Sequence, residues 1–297
     1  MNNRLCIFGE VLFDHFPDGH KVMGGAPFNV AWHLTAFGLQ PLFISRIGDD
    51  TDGKDIIAAM QDWRMDTSHL QIDPALPTGR VDIQIIDNEP EYDIVAPSAW
   101  DRIAPPTSMA TPFPAYDLLY HGSLALRDPV SLETLITLKQ QGNGMVFVDI
   151  NLRPPWCHAE TIATALQHAD WVKLNEHELD QLASDGDVRA DEGRDEKCTR
   201  FMATHDLTGL VVTLGAAGAE LYTADDRYSI TPDTDTAIVD TVGAGDAFCS
   251  VILLGIVSDW PYQTTLQRAQ QFASAVVAQR GATISDPDYY QQLTSSW

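Results

Sequence analysis

The chain has 297 residues, 44% of them hydrophobic, and its 18 basic and 42 acidic side chains give a formal net charge of −24. A chain this long and this apolar can bury a large core, which excludes a disulfide-stapled miniprotein and a disordered chain. The acidic excess argues against nucleic acid and against anionic membrane surfaces as partners, because both require clustered Lys and Arg side chains.

Apolar strand patterns alternate with helix patterns along most of the chain. Strands are predicted at residues 5–8, 42–47, 118–121, 146–150, 171–174 and 210–213. Helices are predicted at residues 26–37, 55–63, 131–141 and 176–183, from residue 245 onward, and at residues 262–280. Strands that are apolar throughout and separated by helices predict an α/β fold, in which a parallel sheet is covered on both faces.

Two segments alternate apolar with polar residues and therefore do not fit a buried parallel sheet. One is residues 11–16, and the other is residues 80–85, which a turn at residues 87–90 leads back through Tyr92 and Ile94. Alternation gives a strand one buried face and one solvated face. These segments predict a small separate sheet that acts either as a lid over a site or as a dimer contact.

The strongest chemical signal is the segment DTVGAGDAF at residues 240–248, which opens an apolar helix. Gly243, Ala244 and Gly245 carry little or no side chain, so their backbone N–H groups can approach an anion at the positive end of the helix dipole. The segment lacks the Gly-Lys-Ser/Thr of a Walker loop, and it lies too late in the chain for a dinucleotide fingerprint. It predicts an anion site.

Asp246 follows this turn, where a carboxylate repels a bound phosphate unless it has a function. Phosphoryl transfer depends mostly on positioning and charge stabilisation, together with a base that aligns the attacking hydroxyl and takes its proton. Asp246 is therefore a candidate base. The alternative is that its carboxylate only caps the helix.

A second pair of glycines, Gly24 and Gly25, precedes the predicted helix at residues 26–37. The glycines permit close approach of the backbone to a small ligand, and the Asn29 amide can both donate to and accept from a hydroxyl. Asp14 can accept hydrogen bonds from two vicinal hydroxyls. These residues indicate a polyol site, and the alternative is a loop glycine pair beside a surface aspartate.

Both motifs resemble the two signatures of the ribokinase/PfkB-like carbohydrate kinase family, and Gly9-Glu10 with Asp14 resembles its fructokinase-type branch. The resemblance runs from about residue 5 to residue 285. It implies one ribokinase-like domain over residues 1–297, with a doubly wound, mostly parallel sheet and a β-lid from about residues 11–23 and 79–96. It also implies transfer of the γ-phosphate of ATP to a sugar hydroxyl with Mg²⁺. Asp246 is then the catalytic base, and the three small residues before it form the anion hole.

The resemblance extends to the nucleotide side of the site. Asn175 and Glu178 match the N-x-x-E element that organises Mg²⁺-bound water and phosphate, and Lys173 adds a positive charge near the phosphates. Asn175 capping the following helix is the alternative interpretation of that spacing. The ATP-binding loop is matched by three residues after a predicted strand: Thr213, Gly215 and Gly218.

Two further matches concern the substrate and a second cation. Arg153 follows the predicted strand at residues 146–150 and resembles a substrate-side motif near the sugar or the transferred phosphate. Many relatives bind a monovalent cation, mostly through backbone oxygens, and the resemblance therefore raises a K⁺ site. The matching positions are Asp240, Val242, Val276, Gly281 and Ser285.

The acceptor has several candidates. Fructose is favoured by the fructokinase-type motif, with 2-keto-3-deoxygluconate, another ketose or aldose, and a nucleoside as alternatives. A keto acid needs a facing cation such as Arg153, and a nucleoside needs aromatic walls such as Phe13, Phe28 and Tyr92. Outside the enzyme class, the alternative is a non-catalytic sugar-binding relative, which would have no need for a base at Asp246.

The cysteines and the apolar runs predict the location of the protein. Cys6, Cys157, Cys198 and Cys249 are far apart and form no CxxC pair, which is typical of free thiols in a reducing cytosol. The N-terminus does not resemble a signal peptide. The longest apolar run, residues 247–257, is about half as long as a membrane-spanning helix. We therefore expect a cytoplasmic protein, and exposed lid strands with apolar faces favour a homodimer formed through the lid.

Overall fold

The computed structural model describes residues 4–86, 89–105, 115–183, 192–232 and 238–297. Its strands are β1 (Leu5–Phe8), β2 (Leu12–His15), β3 (Lys21–Gly24), β4 (Leu42–Gly48), β5 (Leu70–Asp73), β6 (Gly79–Ile86), β7 (Glu89–Ile94), β8 (Leu118–Gly122), β9 (Met145–Asp149), β10 (Trp171–Asn175), β11 (Gly209–Thr213), β12 (Ala219–Thr223) and β13 (Arg227–Ile230). Its helices are α1 (Ala26–Ala36), α2 (Thr51–Asp62), α3 (Pro129–Gln141), α4 (Ala159–Leu166), α5 (Glu176–Leu182), α6 (Arg194–His205), α7 (Ala244–Val257), α8 (Tyr262–Val277) and α9 (Pro287–Thr294).

The larger sheet has the order β13-β12-β11-β10-β9-β8-β1-β4-β5 within the described residues. From β11 to β5 all neighbours pair in parallel, whereas β12 and β13 are antiparallel additions at one edge. β1 pairs with β4 on one side and with β8 on the other, so the strand order reverses at β1. Open α/β sheets bind ligands at such a switch point, beyond the carboxyl ends of the strands.

Helices cover both faces of this sheet, as the sequence predicts. Ile7 and Tyr120 point to one face, where the core includes residues of α1, α2, α7 and α8. Val148 and Leu174 point to the other face, and Leu179 and Phe201 pack there from α5 and α6. Successive residues of a strand point to opposite faces, so strands buried on both sides must be apolar throughout.

The smaller sheet has the order β3-β2-β6-β7 and confirms the predicted separate sheet. β2 and β6 pair in parallel, and the other two pairs are antiparallel. Leu12, Val81 and Ile83 form its buried apolar cluster, while Asp14 and Asp82 are only partly buried. On β6, where Asp82 lies between Val81 and Ile83, this is the division into two faces that the alternating pattern predicts, whereas on β2 Asp14 lies two residues from Leu12 and shares its face. Part of the turn predicted at residues 87–90 lies outside the described residues.

Two predicted helices differ from the structure by more than two residues at one end. α2 begins at Thr51 rather than at residue 55, because the Asp50 side chain caps it by accepting a hydrogen bond of 2.7 Å from the Gly53 N–H. Its first turn is polar and therefore adds nothing to an apolar period. α8 ends at Val277 rather than at residue 280, where the Val277 carbonyl accepts hydrogen bonds from the N–H groups of residues 239 and 240.

Several elements have no counterpart in the sequence analysis: β5, β12, β13, α4, α6 and α9. The charged helix α6 buries only Cys198, Phe201 and Met202, and α9 buries only Tyr290, so their apolar periods are weak. In the described part of the chain, no helix combines the length and the apolar character needed to span a membrane. All four cysteines are free.

Candidate active site

The candidate site lies where β1, β9 and β10 end and where α1 and α7 begin. Glu10 follows β1, Asp149 ends β9, and Asn175 ends β10. α1 and α7 pack against each other, and their N-terminal turns carry the two glycine motifs. Residues far apart in sequence therefore meet at the carboxyl edge of the sheet, close to its switch point.

The turn before α7 requires glycine for a steric reason. Gly243 has φ +79°, a left-handed conformation, and a side chain at this position would overlap Ala282. Ala244 and Gly245 then form the first turn of α7, and Gly245 is exposed. The first N–H groups of a helix have no partner within it, so this turn presents donors and a partial positive charge that suit an anion.

Asp246 lies in the same turn and contacts α1. The Asn29 side-chain amide donates a hydrogen bond of 2.8 Å from Nδ2 to Asp246 Oδ2, although the two residues are 217 positions apart. Burial raises the pKa of Asp246 above its usual value, and the Asn29 hydrogen bond and the charges of Lys173 and Arg153 oppose that rise. A partly buried carboxylate held by an amide can accept a proton from a neighbouring hydroxyl.

The Lys173 side chain is close to the first turn of α7, but it is paired with another side chain rather than free. Its ammonium donates to both carboxylate oxygens of Asp149 at 2.8 Å, and both side chains are buried. Burial lowers the pKa of Lys173, but the charge and hydrogen bond of Asp149, together with the nearby Cys249 and Glu178, hold the pKa above its usual value. The Nζ lies 3.7 Å from the point that a Cβ of Gly245 would occupy. The predicted positive charge is therefore near the turn, but it is paired.

The glycines before α1 pack against the loop between β1 and β2. Gly25 has φ +108°, and a Cβ there would come 2.7 Å from the Glu10 carbonyl oxygen. A Cβ on Gly24 would come 3.4 Å from Asp14 Oδ2, which places the Asp14 carboxylate beside the glycine pair. Burial raises the pKa of Asp14 to about 6, against the charges of His15 and Arg153.

Glu10 was named from the sequence only as part of the Gly9-Glu10 motif, and its place in the site was not predicted. It is only 3% exposed, and its Oε2 has no hydrogen-bond partner among the described residues. Burial raises the pKa of Glu10 to about 7, Arg153 opposes this rise, and Asp246 adds to it. A lone acidic residue within the apolar stretch from β1 to β2 is the signal that could have revealed it. Asp149, at the end of an apolar strand, carries a similar signal.

Arg153 lies outside the buried part of the site. It is exposed in the loop after β9, and its guanidinium contacts the Leu152 carbonyl at 3.2 Å. Its charge lowers the pKa of three carboxyl groups that the fold brings together: Glu10, Asp14 and Asp246. The predicted substrate-side cation is therefore electrostatically part of the site.

Asn175 and Glu178 form a capping box at the start of α5. Asn175 Oδ1 accepts from the Glu178 N–H at 2.9 Å, and Glu178 Oε2 accepts from the Asn175 N–H at 2.8 Å. Glu178 Oε1 also accepts from the Leu152 N–H at 2.7 Å. The alternative predicted for Asn175, a helix cap, is therefore correct. Both carboxylate oxygens keep lone pairs for a hydrated cation.

The predicted nucleotide loop follows β11, next to the strand that ends in Asn175. Thr213 ends β11, and a short 3₁₀ turn, Gly215–Ala217, comes next. Gly215 has φ +56° with open space where a side chain would be. Gly218 has φ +102°, and a side chain there would overlap the carbonyl of Ile230. The first glycine leaves room beside the backbone, and the second is required by packing.

Three of the five predicted monovalent-cation positions are joined by hydrogen bonds. Asp240 accepts from the Val242 N–H at 3.0 Å through Oδ1 and from the Gly281 N–H at 3.1 Å through Oδ2. The Val276 carbonyl accepts from the N–H of residue 279, and Ser285 lies between α8 and α9. Among the described residues, no three His, Cys, Asp or Glu side chains are arranged to hold a metal ion.

Comparison with known proteins identifies the family. A family model described as pfkB family carbohydrate kinase matches residues 5–288. The chain belongs to this family. It is therefore a carbohydrate kinase, and the two glycine turns at the site are the segments that resemble the family's signatures.

Two relatives of this PfkB kinase have different activities. A fructokinase of Klebsiella pneumoniae is 31% identical over 274 residues, which cover 87% of this chain and 86% of that protein. An aminoimidazole riboside kinase of Salmonella typhimurium is 28% identical over 290 residues, which cover 93% and 85%.

Solved structures with the same two activities also match this chain. The fructokinase of Vibrio cholerae O395 with fructose, ADP and a calcium ion matches with a TM-score of 0.79 over 96% of both chains, at 27% identity. A double mutant of the same enzyme, with fructose, ADP and a potassium ion, also gives 0.79, over 96% and 95% at 28% identity. The aminoimidazole riboside kinase of Salmonella enterica, with its riboside and an ATP analogue, gives 0.82 over 99% and 100% at 26% identity.

The aromatic residues considered for a nucleoside differ in availability. Phe28 packs into the core against Trp32 and Phe43, and Phe13 is buried with the Lys21 ammonium 4.3 Å from its ring centre. Only Tyr92, which is 58% exposed on β7, has a free ring face among these three. Two of the three candidate walls are thus structural.

Proposed function

We propose that this carbohydrate kinase transfers the γ-phosphate of ATP to a hydroxyl of fructose. The hydrogen bond between Asn29 and Asp246 carries the proposal. It joins the helix whose first turn suits a polyol to the helix whose first turn suits a phosphate. A sugar bound beside Asn29 therefore has its hydroxyl next to both the Asp246 carboxylate and the anion-binding turn.

In the proposed reaction, Asp246 takes the proton of the attacking sugar hydroxyl. The hydroxyl oxygen forms a bond to the γ-phosphorus, the bond to the β–γ bridging oxygen breaks, and its electron pair leaves with ADP. The N–H groups of Gly243, Ala244 and Gly245 face the negative charge on the transferred group. Asp246 performs this role when it is ionised, a state that Asn29, Lys173 and Arg153 favour.

The charges around the acceptor favour a neutral sugar. Asp14, Gly24, Gly25 and Asn29 form the proposed sugar site, with Arg153 at its rim. When ionised, Glu10 and Asp14 add negative charge next to Asp246; the charge of Arg153 lowers the pKa of Glu10, and those of His15 and Arg153 lower the pKa of Asp14. A single exposed arginine among three carboxyl groups is a poor partner for the carboxylate of a keto acid.

An aminoimidazole riboside is the second candidate acceptor. The Salmonella enterica riboside kinase matches this chain over its full length with a TM-score of 0.82, which is the observation in favour. Two buried phenylalanines, Phe13 and Phe28, count against it, because a base needs open ring faces. The higher identity of the Klebsiella pneumoniae fructokinase also supports fructose.

On the nucleotide side, we propose that Thr213, Gly215 and Gly218 contact ATP. Asn175 and Glu178 fit a hydrated Mg²⁺, since the buried Glu178 supplies the hard carboxylate oxygens that this ion prefers. When bound, Mg²⁺ neutralises charge on the phosphates. A K⁺ site is proposed at Asp240, Val242, Val276, Gly281 and Ser285, and the potassium-bound fructokinase supports it.

We further propose that the small sheet is a lid over the sugar, because β2 carries Asp14 and adjoins the glycine pair. Closure would exclude water, which otherwise competes as an acceptor. Its free edges, β3 and β7, support a homodimer formed through the lid. A cytoplasmic location is supported by four free cysteines and by the use of ATP.

The test is a panel of acceptors assayed for ADP release with Mg·ATP, with and without K⁺. The panel contains fructose, other ketoses and aldoses, 2-keto-3-deoxygluconate and aminoimidazole riboside. We expect the highest kcat/KM with fructose. A higher value with the riboside would move the assignment to the second candidate. Sugar binding without ADP release from any acceptor would contradict a kinase function.

A further inference from the structure

Arg127 is a buried cation that no predicted site uses. It lies in the 3₁₀ turn Leu124–Arg127 after β8, and its side chain is only 2% exposed. Its guanidinium donates to both Asp101 carboxylate oxygens at 2.7 and 2.9 Å. The same group lies over two indole rings, 4.0 Å from the centre of Trp100 and 4.7 Å from that of Trp156.

Arg127, Asp101, Trp100 and Trp156 form a cluster, and this cluster contacts both ends of the β6–β7 hairpin. Arg127 donates from Nη2 to the Val95 carbonyl at 2.7 Å and from Nη1 to the Ile94 carbonyl at 3.3 Å, at the end of β7. Trp100 packs so closely on Gly79, the first residue of β6, that a side chain there would overlap the indole. Arg127 therefore bonds to one end of the hairpin and stacks on the ring that packs against the other.

The second indole belongs to the loop that carries Arg153. The backbone N–H of Trp156 donates to the Arg153 carbonyl at 2.8 Å, which closes a turn over residues 153–156. The preceding residue, Leu152, is held by the Glu178 carboxylate. The ring that stacks on Arg127 thus sits in the same turn as the cation whose charge reaches Glu10, Asp14 and Asp246.

We propose that Arg127 is a positioning residue that fixes the β6–β7 hairpin and the Arg153 turn relative to each other. The proposed lid and the substrate-side cation, Arg153, are then held in one arrangement around the sugar. This inference rests on the proposed function. Only arginine fits the position, because a planar guanidinium can bond a carboxylate bidentately, reach two carbonyls and stack between two rings. An ammonium keeps the charge but loses the fork and the stacking.

The consequence is a coupling between sugar binding and water exclusion. If the hairpin and the Arg153 turn lose their common anchor, the sugar is held less well and water gains access to the γ-phosphate. Within the described residues, no hydrogen bond or ring contact joins this cluster to the nucleotide loop after β11, so KM for ATP should change less than KM for the sugar. A general loss of stability would not select between sugar and nucleotide in this way.

The experiment compares Arg127→Lys with Arg200→Lys. Arg200 also forms a bidentate pair, with Glu192 at 2.9 and 2.7 Å, and bonds a carbonyl, that of Ala183 at 2.9 Å, but it lies on α6 far from the lid. Measured at a temperature at which both variants are folded, Arg127→Lys should lower kcat/KM for the sugar by about tenfold to a hundredfold. It should leave KM for ATP within about twofold and raise ADP release relative to sugar phosphate formed. Arg200→Lys should change none of these.

Trp156→Leu provides a second variant that keeps the Arg127–Asp101 pair and removes only the ring on the Arg153 turn. The same changes are expected, with a smaller size. Wild-type values of sugar KM and of the ratio of ADP to sugar phosphate in both folded variants would overturn the inference. If Arg127→Lys does not fold, the result with Trp156→Leu decides. Failure of the wild-type protein to phosphorylate any acceptor would instead contradict the proposed function.

Discussion

Helices α1 and α7 begin in the same way but present different first turns. The residues before them, Gly25 and Gly243, have φ +108° and +79°, and no side chain caps either helix. In α1, Pro27 removes one N–H group and the Glu10 backbone closes against Gly25. In α7, by contrast, Gly245 is exposed at the site. A glycine with positive φ therefore precedes a packed first turn in α1 and, in α7, the exposed turn that we propose binds an anion.

The largest effect is expected at Asp246, whose carboxylate lies in the first turn of α7. Asp246→Asn keeps the shape of the side chain but removes its ability to accept a proton, so kcat should fall by about a thousandfold or more. Steady-state kinetics measure this, with ADP binding by calorimetry and thermal unfolding as controls that should stay unchanged. Turnover near the wild-type rate would remove Asp246 from its proposed role.

Two single substitutions, at the glycines that precede α1 and α7, test the roles of the two turns separately. Gly243→Ala should raise KM for ATP, because the new methyl meets Ala282 and moves the anion-binding turn. Gly25→Ala should raise KM for the sugar, because its methyl meets the Glu10 carbonyl. Each change is expected to be about tenfold and to lower stability by about 1–2 kcal/mol, since both glycines have positive φ. Equal effects on both KM values in both variants would contradict the comparison.

The hydrogen bond from Asn29 in α1 to Asp246 in α7 should affect the pH dependence of kcat. Asn29 lowers the pKa of Asp246, so Asn29→Ala should raise that pKa and shift the acid limb of the kcat profile to higher pH. The base must be ionised, and activity should therefore be lost more at pH 6 than at pH 8. The measurement is the midpoint of the acid limb in the wild type and in Asn29→Ala, which should lie at higher pH in the variant. An unchanged acid limb would show that the amide does not tune the base.

At Glu10, which packs against Gly25 before α1, the expected effect is on stability rather than on turnover. The pKa of Glu10 is about 7 in the folded protein, above its usual 4.5, so the folded state binds the proton more tightly. Stability should therefore fall as pH rises from about 4.5 to 7, by up to about 3 kcal/mol. Glu10→Gln removes this loss, so urea unfolding should show the variant gaining on the wild type between pH 5 and pH 8. A constant difference would contradict the raised pKa.

Much of the fold was predictable because it depends on local patterns. Unbroken apolar strands between helices predicted the parallel sheet, and alternation at residues 11–16 and 80–85 predicted the smaller one. The antiparallel edge formed by β12 and β13 was not predicted. Helices α6 and α9 were also missed, because each buries few apolar residues and gains its place from packing rather than from its own period.

The amino-acid sequence by itself determined the two glycine turns, the carboxylate of Asp246 and the amide of Asn29, because backbone freedom and side-chain chemistry are properties of the residues themselves. Only the tertiary structure decided that Asn29 bonds Asp246, that Lys173 is paired with Asp149, and that Glu10 is buried without a partner for one oxygen. It also assembled Arg127 with its two indoles. Contacts between distant segments, and the burial that shifts a pKa, arise only when the strands and helices pack.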